Sequence, residues 1–195
     1  GFTDAAQGAR FRADLLTRAA GVAEERLRDF VQAGELLRRA LEATPDVLEL
    51  LESLARVLEA ANQHAEAEEV LRQASEVSAA QPAQRSGYHL ERGRLLEGPL
   101  ADSEQAKAAY DAAIEAYPQN ADARQALIAL LDRLGRWEPL QEALGAAAAA
   151  TPGNERADFL IRRGEVLAHE LERLDEALAA FDEAEQVRPR DPRAR

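Results

Sequence analysis

A chain of 195 residues, 46% hydrophobic and 31% charged, is long enough and apolar enough to fold around a core. Its formal net charge of −12 repels phosphate backbones and anionic lipid, which argues against nucleic-acid or membrane binding and favours a basic or neutral partner. The absence of cysteine excludes disulfides, thiolate metal sites and thiol nucleophiles, and no apolar run is long enough to span a bilayer.

Alanine, about a fifth of the chain, carries the lowest intrinsic helix cost, and with abundant Leu, Glu and Arg it predicts an all-α fold. In chain order, the segment from Thr17 to Pro45 reads as two helices and a turn. Within it Ala20 is followed thirteen positions later by Ala33, seven later by Ala40 and five later by Pro45. A shorter pair follows from Asp46 through Asn62 and His64 to Ala74. Its Leu51, Leu54, Ala55 and Leu58 form one stripe of an amphipathic helix. The long pattern returns at Gly93, Ala106, Ala113 and Pro118, with Asp102-Ser103 as a helix start after Gly98-Pro99. The short one returns around Gly135, Trp137, Leu140 and Ala147, and the long one a third time at Gly164, Ala177, Ala184 and Pro189. Pro45, Pro118 and Pro189 are separated by 73 and 71 residues, so long and short hairpins alternate. Thr44-Pro45-Asp46 and Thr151-Pro152-Gly153 are turn signals between hairpins. The long hairpins carry one extra residue before the second helix, which predicts a lengthened or kinked loop.

The spacing of small residue, alanine, alanine and proline in hairpins of roughly 34–38 residues resembles the tetratricopeptide repeat. Gly135-Arg136-Trp137 is similar to that family's glycine and aromatic at the turn, and Tyr110 and Phe181 occupy its aromatic position in the second helix. Leu140 in place of alanine and Asn62 in place of glycine depart from the pattern. The resemblance implies an all-α solenoid, a right-handed superhelix of about five hairpins over 9–45, 46–80, 83–118, 119–152 and 153–189. It makes 1–195 a single array, with 190–195 as a tail or the start of a further repeat. The absence of methionine is expected of a mature or excised segment of a longer protein. The cytoplasm is the expected compartment, with the periplasm left open.

No catalytic or metal constellation emerges. His64, His89 and His169 lie in different hairpins without ligand spacing, the first two expected to pack and the last to be solvated. Glu24-Glu25 and Glu68-Glu69 read as exposed helix charges. No phosphate loop or nucleophile elbow is present. The Ala146–Ala150 run reads as a smooth packing face and Trp137 as a packed turn residue. The expectation is a non-catalytic chain without cofactor or metal.

The resemblance further implies a concave face lined by the first helix of each hairpin. Projected onto this chain, those positions are Asp14, Thr17, Arg18, Glu24 and Glu25; Glu49, Glu52, Ser53, Arg56 and Glu59; Leu90, Glu91, Arg94 and Glu97. Beyond them come Asp122, Gln125, Ala129, Asp132 and Arg133, then Asp158, Ile161, Arg162 and Glu165. The expected function is an adaptor or scaffold whose acidic groove, with about one arginine per hairpin, receives a basic or mixed-charge peptide or helix. Leu90 and Ile161 are either apolar anchors in that groove or core residues. A structural spacer or self-assembly segment associating through the array ends, and a regulatory domain of a larger enzyme, stand as alternatives.

Overall fold

The computed structural model describes residues 2–189, and the side chains of 6–189. Residues 190–195, expected as a tail or a further repeat, lie outside the described residues. Among those described there are ten α-helices and no strand. They are α1 (Phe2–Val22), α2 (Phe30–Ala43), α3 (Leu48–Ala60), α4 (His64–Val77), α5 (Pro82–Glu97), α6 (Ser103–Ala116), α7 (Ala121–Arg133), α8 (Trp137–Ala150), α9 (Asn154–His169) and α10 (Leu174–Val187). Pairs α1/α2, α3/α4, α5/α6, α7/α8 and α9/α10 are the five expected hairpins. They fall into two compact units, one of three hairpins ending at Tyr117 and one of two beginning at Pro118.

The helix starts are chemically specified. Asp29, Asp102 and Asn120 each accept a hydrogen bond from the backbone N–H three residues on, at 2.9, 2.9 and 3.0 Å, satisfying an otherwise orphan donor. Every hairpin turns through a left-handed residue two positions before its second helix: Arg28, Asn62, Ala101, Gly135 and Glu172, with φ between 53 and 62°. Gly135 and Asn62 suit that conformation, whereas the three long hairpins force it on residues with a Cβ penalty. The extra residue of the long hairpins is accommodated differently each time. The helix of the first ends in a π-turn over Ala23–Leu27, and the third and fifth use loops 98–102 and 170–173.

In the first unit, alanines at the crossings and leucines between them form one core, with Ala33, Ala40, Ala67, Ala74, Val57 and Leu58 fully buried. Leu51, Leu54, Ala55 and Leu58 are all inside, as their spacing requires. The alanine positions are where second helices approach closely, so a larger side chain there would overpack. The second unit has its own cluster, in which Ala157, Leu160, Ile161, Ala148 and Ala184 are joined by Phe159 and Phe181. Trp137 opens α8 half-buried, its ring 3.6 Å from where a Cβ on Gly135 would sit. Ala147 and Ala148 are buried while Ala146, Ala149 and Ala150 are exposed, so the polyalanine run is the packed edge of α8. No helix among the described residues is long and apolar enough to cross a membrane.

Candidate interaction face

In the first unit, the first helices of successive hairpins are joined by side chains that reach across from one to the next. Arg56 of α3 makes a two-pronged ion pair with Glu24, its second contact at 3.0 Å. Glu52 of α3 accepts from the Tyr88 hydroxyl and from Gln84 Nε2 of α5, the latter at 3.3 Å. Between α1 and the start of α3 a cleft is lined by Arg10, Asp14, Thr17, Pro45, Val47 and Leu50. Helical spacing explains the alignment, because Glu49, Glu52, Arg56 and Glu59 recur every three or four residues, away from the buried Leu50, Leu54, Val57 and Leu58.

Electrostatics on this face are divided. The carboxyl of Glu59 is pushed above its ordinary range, chiefly by burial and then by the neighbouring Glu91 across the α3–α5 contact. The Tyr88 hydroxyl is likewise held protonated, first by burial and then by donating to Glu52. The arginines are engaged: Arg18 with Asp14 at 3.1 Å, Arg94 with Glu91 at 2.7 Å and Arg56 with Glu24. They tie down neighbouring acids, and exposed Glu49 and Glu25 keep the surface negative.

The second unit repeats the device. Arg162 of α9 reaches Asp132 of α7 at 2.8 Å and its own Glu165 at 3.3 Å. Asp158 holds Arg188 at 2.8 Å. Asp122, Gln125 and Arg133 are exposed on α7.

Two expected anchors are corrected. Leu90 and Ile161 are 5% and 3% exposed, so of the two readings open for them the core reading holds. Each follows another buried residue, His89 and Leu160, so two successive positions of the helix are inside. Tyr88 and Gln84 are the contributors that sequence projection missed. Their signal was the helical spacing of 84, 88 and 91 on one side of α5. His89, expected to pack, is buried with neither ring nitrogen hydrogen-bonded by a described residue. Burial, then the charges of Arg92 and Arg85, hold its pKa below the ordinary value, against a weaker opposing effect of Glu115. His169 is exposed at the end of α9. Among the described residues no three His, Asp or Glu side chains converge as a metal site would require.

The comparisons agree with this geometry. Two models of the Tetratricopeptide repeat family match residues 26–87 and 88–120. Among solved structures, YrrB, described as a TPR protein with an unusual peptide-binding site, is 19% identical with a TM-score of 0.56 over 100% of this chain and 95% of its own. MamA from Desulfovibrio magneticus RS-1 is 18% identical with a TM-score of 0.55, covering 92% of this chain and 97% of its own. PilF of Pseudomonas aeruginosa is 18% identical with a TM-score of 0.55, covering 93% and 79%. At such identities the likeness is one of fold. No curated protein matches the sequence. With five αα-hairpins, alanines at their crossings, a left-handed turn in each and family matches running through residues 26–120, the chain belongs to the tetratricopeptide repeat family.

Proposed function

We propose that the chain is a non-catalytic adaptor whose first-helix face in the first unit, built on α1, α3 and α5, holds a basic or mixed-charge peptide or helix. The observation that carries this reading is the cross-helix acidic row: Glu49 and Glu52 near Tyr88, and Glu59 near Glu91, on the helices that also border the α1–α3 cleft. A raised carboxyl such as Glu59 beside Glu91 gains from an incoming cation, which relieves the repulsion between them. Buried Tyr88 donates its hydroxyl to Glu52 and so fixes that carboxylate on the face. The peptide-binding site ascribed to YrrB, a chain of like fold, supports the same use of this one. On the second unit the corresponding positions are Asp122, Gln125, Arg133 and Arg162.

The test is retention of partners from an extract of the source organism on the immobilised chain, beside a control carrying Glu49→Lys and Glu25→Lys. Both residues are exposed, so the control keeps the fold. A partner held by the native chain and lost by the control supports the groove. Retention indifferent to charge reversal overturns it.

A further inference from the structure

Helix α5 carries buried polar residues where the other long hairpins are apolar. By the separations of 73 and 71, His89 corresponds to Leu16 and Leu160, and Ser86 to Ala13 and Ala157. On the neighbouring α4, Ser75 takes the place filled by Leu41 of α2, Ile114 of α6 and Ala148 of α8, with Glu185 on α10. Ser75, Ser86 and His89 are all buried. Glu68 accepts from Arg92 Nε at 2.8 Å, which marks the side of α4 that meets α5, and Ser75 lies two turns further along that side.

The two serines are satisfied, donating to the Arg72 and Ala113 carbonyls at 2.6 Å each. His89 is not. Both ring nitrogens are buried without a hydrogen-bond partner among the described residues. A proton added there would meet Arg85 and Arg92, one turn to either side on the same helix, with Glu115 of α6 opposing them more weakly. Glu68 of α4 is already engaged by Arg92. Toward α3 the charged groups are Glu52, bonded to Tyr88, and Glu59, which faces Glu91. The fold therefore holds this ring neutral, one residue from the tyrosine that ties α5 to α3.

We propose that His89 makes the third hairpin acid-sensitive: protonation of its ring loosens α5 from α4 and α6 and withdraws Tyr88 and Glu91 from the face built on α1, α3 and α5. The opening is a property of the hairpin itself, whereas release of a partner by it rests on the function proposed above. A ring that is neutral inside and gains a proton outside favours the open form as pH falls below the ordinary imidazole value. Glu59 acts with the opposite sign, since burial and Glu91 favour its protonated form in the fold. The effect of His89 is thus read against chains that lack only the imidazole.

The test is amide hydrogen exchange of the full chain at pH 7.5 and 5.5, corrected for the intrinsic rates. Protection within 82–116 is expected to fall about tenfold at the lower pH, while 154–187 changes little. His89→Leu removes the fall. His89→Gln, which keeps a neutral polar group, is less protected at both pH values and equally lacks it. A native chain without the fall, a fall shared equally by 154–187, or one that persists in either variant overturns the proposal. Decalysine, followed by titration calorimetry, separates release from the groove. Weakening at pH 5.5 that is greater in the native chain than in His89→Leu supports release, and equal weakening overturns it. Decalysine that binds neither chain at pH 7.5 defeats the groove, while exchange still decides the opening.

Discussion

His89 is a residue whose neighbours in the repeat say what it should have been. The corresponding positions are Leu16 and Leu160, both apolar, and in His89 two ring nitrogens are buried without a hydrogen-bond partner among the described residues. Leaving a buried polar group unsatisfied costs about 1–3 kcal/mol. His89→Leu is therefore expected to stabilise the fold by roughly that amount, a rise of several degrees in Tm at neutral pH for a chain of this size. The pH dependence follows from burial holding the imidazole neutral. The folded value lies below the unfolded one, so stability is complete above the unfolded value and declines as pH falls through it. The Tm advantage of His89→Leu should widen from pH 7.5 to 5.5, read by thermal melts, and an advantage that narrows would contradict the account. Glu59 has the opposite sign. A carboxyl raised in the fold stabilises while protonated and is a liability once ionised. Glu59→Gln should accordingly raise Tm at pH 7, with the gain shrinking as pH is lowered through the carboxylate range.

At the scale of the element, the third and fifth hairpins are each set by one small–large contact, and all five by one turn. A Cβ on Gly164 would come within 2.5 Å of the Phe181 ring, and one on Gly93 would strike Tyr110. In the first hairpin the residues at the same spacing are Ala20 and the smaller Leu37, both buried, a larger residue for glycine matched by a smaller one for the aromatic. Gly164→Ala is expected to cost about 1–3 kcal/mol through overpacking. Adding Phe181→Leu, which copies the Ala20–Leu37 solution, should recover part of that loss. The double-mutant cycle from denaturant melts reads it as a favourable coupling, and additivity would refute the pairing. At the turn, Ala101 adopts φ 53° with a Cβ that disfavours it. Ala101→Gly should stabilise by about 0.5–1 kcal/mol, because relief of left-handed strain outweighs the added freedom of the unfolded chain.

For the whole molecule, the excess of acids over bases sets how partners arrive. With a net charge of −12, a basic ligand is attracted from beyond contact, and screening shortens that reach to about 8 Å at physiological ionic strength. Binding at the α1–α3–α5 face should weaken markedly from low to high salt, chiefly through a slower association rate, as titration calorimetry and stopped-flow mixing would show. Affinity flat across that range would dismiss the electrostatic groove.

Periodicity in the sequence determined the helices, their pairing into hairpins, the alternation of long and short forms and the family. A helix that must bury one face every 3.6 residues writes that demand into the residue order, and close crossings admit little beyond alanine and glycine. The left-handed turn was legible only at Gly135 and Asn62, since Arg28, Ala101 and Glu172 advertise no such preference. Tertiary structure decided what spacing leaves open. Leu90 and Ile161 are buried although both project onto the expected groove, and Glu52 meets Tyr88 because two hairpins bring residues 36 apart in the chain together. The arginines expected to punctuate a groove are engaged by acids on the same or the adjoining helix. Such pairings depend on how one helix lies against the next, a relation no single amphipathic stripe encodes.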